Sequence, residues 1–235
     1  MHYVIPDIHN DYDKFNKMLK KIGFRKENDH LILLGDLFDR ADYNPKPLEL
    51  YYKIQSLGES VSIVRGNHEE MLGRFIYDYL DVPEGRRDGF AYDYNTFSIL
   101  RRKMTDRDLE LFADWMLAFP LQKTMTVNGE NYLFAHAMTS SPKQKKDKNF
   151  YIWGGYLGFS YLKNGVEDYI SVCGHTITDT IRRWVGEENR PKKPEVWVNK
   201  KGNVYMMDCG CGMYDRCKLS CLCLETKGIY YVSTN

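Results

Sequence analysis

The chain has 235 residues, with 33 basic and 32 acidic side chains and a formal charge of +1. That length supports one domain, residues 1–235, with a well-buried core, and the balanced charge gives no chain-wide attraction to a nucleic acid duplex or an anionic membrane. No apolar run approaches a membrane span, and a first strand that begins almost at Met1 leaves no room for a signal peptide, so the expected location is cytoplasmic.

The first apolar run, Tyr3-Val4-Ile5, ends in Pro6-Asp7-Ile8-His9-Asn10. Behind it Phe15, Met18, Leu19 and Ile22 recur at helical spacing, with Gly23 where a C-cap would sit, so the chain opens as a βαβ unit. The next run, Leu31-Ile32-Leu33-Leu34, stops at Gly35 and is followed by Asp36, Asp39 and Arg40. Four consecutive large aliphatics suit a strand covered on both faces, and polar groups at the carboxyl ends of such strands gather where ligands bind. A helix is predicted over 47–57, with proline in its first turn and Gly58 past its end. The strand 61–64 then feeds Arg65-Gly66-Asn67-His68-Glu69, and Met71, Leu72, Phe75, Ile76, Tyr79 and Leu80 form a helical stripe directly behind it.

Residues 81–119 read as a helical insertion. Its first part mixes Pro83, Gly85, Arg86, Arg87 and Gly89 with Phe90, Tyr92, Tyr94 and Phe97, which suits a surface helical hairpin or an aromatic lid. Thr105 and Asp108 then resemble a capping box that opens a helix ended by Pro120. Strands follow over 122–127 and 131–135, joined by an Asn128-Gly129 turn of type I′ character that delivers His136 at a strand end. The lysine-rich stretch 142–148 reads as a solvated loop. Further strands are predicted over 170–173, 195–198, 204–207, 219–224 and 229–232, with Gly174-His175 just past the first and Asp208 past the third. Six cysteines crowd the last third; they lack paired Cys-x-x-Cys units, and Cys221 and Cys223 alternate with leucines, so reduced core thiols are preferred to a zinc cluster. His2 and His30 fall outside every motif and read as surface residues. Two strand systems with helices outside give an α/β fold.

Three strand ends that offer Asp/His, Asp and Asn/His point to a metal site, since oxygen donors with imidazole suit Mn, Fe or Zn. On Asp7-Ile8-His9, Gly35-Asp36-Leu37-Phe38-Asp39-Arg40 and Gly66-Asn67-His68-Glu69, in that order, the chain resembles the calcineurin-like metallophosphoesterases, and within them the phosphoprotein-phosphatase branch. The resemblance implies a sandwich of two mixed β-sheets flanked by helices. It also implies two divalent metal ions, Mn foremost with Fe or Zn as alternatives, that activate a bridging hydroxide as nucleophile. Asp7 and His9 would hold the first metal, Asn67, His136 and His175 the second, and Asp36 would bridge them. His68 would protonate the leaving group with Asp39 orienting its ring, and Arg40 would grip the phosphate. Asp208 would back a ligand histidine or simply form a turn.

The chain departs from the branch at Pro6 and Asn10, where glycines are usual, and Asn is the substitute that most readily takes positive φ. It departs again at Trp153-Gly154-Gly155, where relatives supply a second phosphate-gripping arginine; either one pair, Arg86 with Arg87 or Arg182 with Arg183, replaces it, or all four are solvated and Arg40 works alone. The leading functional expectation is a serine/threonine protein phosphatase-like phosphomonoesterase acting on a phosphorylated protein or a small phosphoester. Symmetrical diadenosine tetraphosphate hydrolysis is the alternative, and a non-catalytic phosphate-binding module a further one.

Overall fold

The Leu31-Ile32-Leu33-Leu34 run is continuous because its strand is covered on both faces: Leu31 and Leu33 pack toward helices, Ile32 and Leu34 toward a second sheet. The computed structural model describes residues 1–155 and 158–233. The first half runs β1 (His2–Ile5), α1 (Tyr12–Lys21), β2 (His30–Leu33), α2 (Pro47–Gln55), β3 (Val61–Ile63), α3 (Asn67–Leu80), α4 (Asn95–Leu100) and α5 (Asp106–Leu117). The second half runs β4 (Gln122–Val127), β5 (Glu130–Ala135), α6 (Lys148–Ile152), α7 (Phe159–Asn164), β6 (Ile170–Cys173), α8 (Thr178–Trp184), β7 (Trp197–Val198), β8 (Val204–Met206), β9 (Leu219–Cys223) and β10 (Ile229–Val232).

Two five-stranded sheets result, in the orders β10-β9-β1-β2-β3 and β4-β5-β6-β8-β7. Both are mixed. In the first, β1, β2 and β3 are parallel, β9 is antiparallel to β1, and β10 is antiparallel to β9; in the second, β5, β6 and β8 are parallel and flanked by antiparallel β4 and β7. Val4, Ile32, Tyr132, Phe134, Val172 and Leu222 fill the space between the sheets. Phe15, Met18, Leu72, Ile76, Phe112 and Met116 cover the outer face of the first sheet, while Leu162 and Ile181 cover the second. The fold is therefore the expected sandwich of two mixed sheets with helices outside. No helix among the described residues is long and apolar enough to cross a membrane.

The predicted elements are recovered to within a few residues at their ends. The Asn128-Gly129 turn has φ of 51° and 81°, as a type I′ turn requires. The short helices α6, α7 and α8 have 5, 6 and 7 residues, too few turns to show a period in sequence. The insertion contributes to the helical layer: Phe97 and Leu100 of α4 and Leu109, Phe112 and Met116 of α5 are all buried there. Five cysteines are buried and Cys217 is half-buried, none in a disulfide. Cys221 and Cys223 face the helices while Leu222 faces the second sheet, which is the alternation of a packed strand. His2 and His30 are half-buried at strand starts, on Glu225 and Ser62 respectively.

One side chain fastens the ends of the parallel strands together. Glu69, wholly buried, accepts the Asp36 and Leu37 N–H groups past β2 and the Gly66 N–H that precedes α3. Burial, reinforced by the Asp36 charge, pushes its carboxyl up to about 7 against these donors. In Glu69→Ala three buried donors lose their acceptor, each at about 1–3 kcal/mol, so urea unfolding is expected to show a loss of at least about 3 kcal/mol. A loss under about 1 kcal/mol would mean that Glu69 does not hold these strand ends.

Candidate metal centre

The site lies where β1, β2, β5 and β6 end and α3 begins. After β2, Gly35 (φ 85°) and Asp36 (φ 49°) turn the backbone sharply, and a Cβ on Gly35 or Gly66 would collide with the other strand's backbone. Glycine at both positions allows the start of α3 to reach Asp36, whose Oδ1 accepts the His68 N–H at 3.0 Å. An N–H at a helix start favours negative charge at that point.

Around Asp36 the imidazoles converge. His136 Nε2 lies 3.3 Å from Asp36 Oδ1, 2.9 Å from Asn67 Oδ1 and 3.1 Å from His175 Nδ1. On the other oxygen, Oδ2, His9 Nε2 and His68 Nε2 approach to 3.7 and 3.9 Å. Two groups could therefore hold a metal ion, His9 with Asp36 and His68, and Asp36 with His136 and His175. The ring orientations fit such a role. His136 Nδ1 donates to the Leu34 carbonyl at 2.8 Å and His9 Nδ1 to the Phe38 carbonyl at 3.0 Å; because a carbonyl can only accept, each Nδ1 carries a proton and Nε2 is the nitrogen left to face a cation once the ring is neutral. Asp7 is buried and accepts the His175 N–H on both oxygens at 3.0 and 3.1 Å. Gly174, where a Cβ would overlap the Asp7 carboxylate, permits that approach.

Charge in the cluster is uneven. Burial works against ionising Asp36, yet His136 and His68 beside it hold its carboxyl well below the usual range. Burial pushes Asp7 up to about 6, with the His136 charge opposing and the Asp36 charge adding. Burial drives His9 down to about 3 and His175 down to about 4. Burial is the largest influence on His136 and His68 and opposes their protonation, but the carboxylates together outweigh it, Asp36 with Asp7 and Glu69 raising His136 to about 10 and Asp36 with Asp39 raising His68 above its ordinary value.

His68 differs from the other rings in its second partner. Its Nδ1 bonds Asp39 Oδ2 at 2.8 Å, and the Tyr92 hydroxyl donates to the same oxygen at 2.9 Å. Asp39 Oδ1 is buried without a partner among the described residues. The Asp39 N–H donates to Thr96 Oγ1 at 2.8 Å, Asn10 Nδ2 to the same hydroxyl at 2.8 Å, and Asn95 Nδ2 to the Arg40 carbonyl at 2.8 Å. The segment from Tyr92 to Thr96 is thus stitched to residues in left-handed backbone: Asn10 (φ 62°), Asp39 (φ 67°) and Arg40 (φ 62°). The positive φ anticipated for Asn10 is present. Sequence reasoning had no role for Tyr92, Asn95 or Thr96, and the aromatic density of their segment was the available signal. Gly212 also gave no signal, yet a Cβ there would overlap His9.

The remaining candidates divide. Arg40 is half-buried and its charge is felt by His9, His68, His175 and Asp208. Asp208 takes the turn role: Oδ1 accepts the Gly210 N–H at 2.7 Å and its carbonyl accepts the Thr178 N–H at 2.9 Å. Trp153 is 44% exposed with its ring edge-on to His175 at 5.9 Å; residues 156 and 157 beyond it lie outside the described residues. Arg87 is engaged by the Val82 and Leu80 carbonyls and Asp106, and Arg86 is exposed. Arg182 bonds Glu187 and the Val196 carbonyl, and Arg183 pairs with Asp179. None of the four has a hydrogen bond to the cluster among the described residues.

The calcineurin-like phosphoesterase family model matches residues 3–206. Among curated proteins the chain is 25% identical over 180 residues to the symmetrical bis(5'-nucleosyl)-tetraphosphatase of Buchnera aphidicola subsp. Baizongia pistaciae, covering 73% of this chain and 59% of that protein. To the enzyme of the same name from Hamiltonella defensa subsp. Acyrthosiphon pisum it is 33% identical over 119 residues, covering 51% and 38%. Each match spans less than two thirds of the relative's own length. Among solved structures, one assigned provisionally as a diadenosine tetraphosphatase aligns with TM-score 0.66 at 15% identity, covering 100% of this chain and 93% of that one. A protein serine/threonine phosphatase from Saccharomyces cerevisiae aligns with TM-score 0.58 at 14% identity, covering 100% and 80%. At such identities the likeness is one of fold. With the three motifs brought together at the strand ends and most of its length matched by the family model, the chain belongs to the calcineurin-like phosphoesterase family.

Proposed function

We propose that the protein is a dinuclear-metal-dependent hydrolase of symmetrical dinucleoside polyphosphates. The observation that carries the metal-dependent reading is the convergence of Asp36 Oδ1, Asn67 Oδ1 and His175 Nδ1 on His136 Nε2, with His9 Nε2 facing the other Asp36 oxygen. Asp36, Asn67, His136 and His175 would hold one cation, and Asp7, His9 and Asp36 the other. Oxygen and imidazole donors without a thiolate support Mn first, with Fe or Zn as alternatives. Such a pair of cations supplies Lewis acidity, lowering the pKa of water and neutralising phosphoryl charge.

The chain's own residues supply the rest. Arg40, beside the cluster, grips the phosphoryl oxygens with its planar fork. Hydrolysis adds the oxygen of water to phosphorus and breaks the bond to the leaving oxygen, which needs a proton. His68 gives that proton, and Asp39 fixes its ring and sustains its charge. Tyr92, on the same Asp39 oxygen, holds the carboxylate in place.

The substrate class rests on the relatives, which are tetraphosphatases. Phosphoserine or phosphothreonine hydrolysis is the second reading, supported by the resemblance of the three motifs to the phosphoprotein-phosphatase branch; the same centre serves either. Six cysteines outside any disulfide support a cytoplasmic setting.

Chelation is expected to abolish hydrolysis of diadenosine tetraphosphate, with Mn restoring it best. Asp36→Asn should cost more activity than His175→Ala, because it weakens both cation positions; near-normal turnover in Asp36→Asn would end the two-cation reading. His68→Asn should slow alkyl phosphates by about 10²–10⁴-fold and nitrophenyl phosphate much less, in proportion to the proton each leaving group needs. Equal losses on the two would give His68 another role. Tyr92→Phe should repeat that leaving-group pattern at roughly tenfold, the size of one hydrogen bond to a charged group. A change in KM alone would mean that Tyr92 does not act through Asp39.

A further inference from the structure

We infer that a cationic groove beside the candidate metal centre binds one nucleoside diphosphate half of the substrate, an assignment that deepens the proposed function and rests on it. The groove is a cavity of about 690 Å³ between the start of α8 and the loop that follows Asp208. This volume suits a ligand of nucleotide size. Its lining carries Arg183, Lys192, Lys193, Arg216 and Lys218 against one carboxylate, Asp179. On a chain whose overall charge is +1, that is a local concentration of positive charge.

The groove and the metal centre share a wall. Ile177, two residues past His175, lines the groove, as does Gly210, whose N–H is held by Asp208. The Asp208 carbonyl also accepts the Thr178 N–H, joining the two segments. Gly212, in the same loop, is flush against His9. The loop that lines the groove through Gly210, Met213 and Tyr214 therefore also borders the metal centre at His9.

The lining matches both parts of a nucleotide. Tyr214 is 57% exposed with the Arg216 guanidinium 5.3 Å from its ring centre, an aromatic face and a planar cation on which a base can stack. Lysine and arginine suit the phosphates. The pairs already present, Arg183 with Asp179 at 2.8 Å and Lys218 with Glu195 at 3.2 Å, involve a half- or well-exposed partner in each case. Exposed pairs of this kind are weak and yield readily to a polyanion. A basic phosphopeptide would be repelled by the same walls.

The test is calorimetric binding of ADP and of inorganic pyrophosphate to the Mn-loaded protein. Lys192→Ala/Lys193→Ala is expected to weaken ADP at least fivefold, and Tyr214→Ala to weaken ADP at least fivefold while changing pyrophosphate less than twofold. ADP affinity unchanged in both variants overturns the groove assignment, as does an equal loss of ADP and pyrophosphate in Tyr214→Ala. Turnover separates the two readings: if the wild type does not hydrolyse diadenosine tetraphosphate but ADP binding follows the expected pattern, the proposed substrate falls and the nucleotide groove stands.

Discussion

The Asp36 carboxylate is the point on which the rest of the site depends. It takes an N–H from the start of α3 and faces imidazoles from three different strand ends as well as the His68 ring. Such a carboxylate must stand clear of the sheet while its neighbours approach closely, and the backbone is built for that. Gly35 and Gly66 remove the side chains that would keep β2 and α3 apart. Asp36 itself accepts a left-handed φ of 49°, a conformation that costs a non-glycine residue about 1–3 kcal/mol. Glu69 offsets part of that strain by taking the N–H groups on both sides of the turn.

The same strain recurs at His9, Asn10, Asp39, Arg40, Ala41 and His175, all at positive φ. Residues so placed persist only where their surroundings over-determine them. For the loop carrying Asp39 and Arg40, the surroundings are Tyr92, Asn95 and Thr96 together with the Gly212 carbonyl, which accepts the Ala41 N–H at 2.8 Å. The helical insertion thus belongs to the site as much as to the core. Its buried face, Phe97 and Leu100, anchors the hydrogen-bonding residues that precede it.

Substrate choice must come from outside the cluster, because donors that grip a phosphoryl group do not distinguish what it is attached to. With no arginine at positions 154 and 155, Arg40 is the guanidinium whose charge reaches the cluster among the described residues, and Arg183, Lys192, Lys193, Arg216 and Lys218 gather in the groove beside the Asp208 loop.

How much of this was legible in the sequence differs from level to level. The central strands β1, β2 and β9 were visible as apolar runs because they are buried on two faces, and the three motifs were visible because the candidate ligands of each sit within a few residues at the end of one strand. His136 and His175 were weaker in sequence, single histidines whose meaning came from the other motifs; the structure puts their nitrogens 3.1 Å apart across a separation of 39 residues. What the sequence could not supply were contacts between segments distant along the chain with no shared period. Tyr92 meets Asp39 across 53 residues, and Gly212 meets His9 across most of the chain. The grouping of Arg183, Lys192, Lys193 and Arg216 into one groove had the same origin. Local spacing determines which residues share a strand end or a helix face; which ends and loops meet is decided by how the two sheets pack, and only there did Arg183 turn toward the groove and Arg182 toward Glu187 and the Val196 carbonyl.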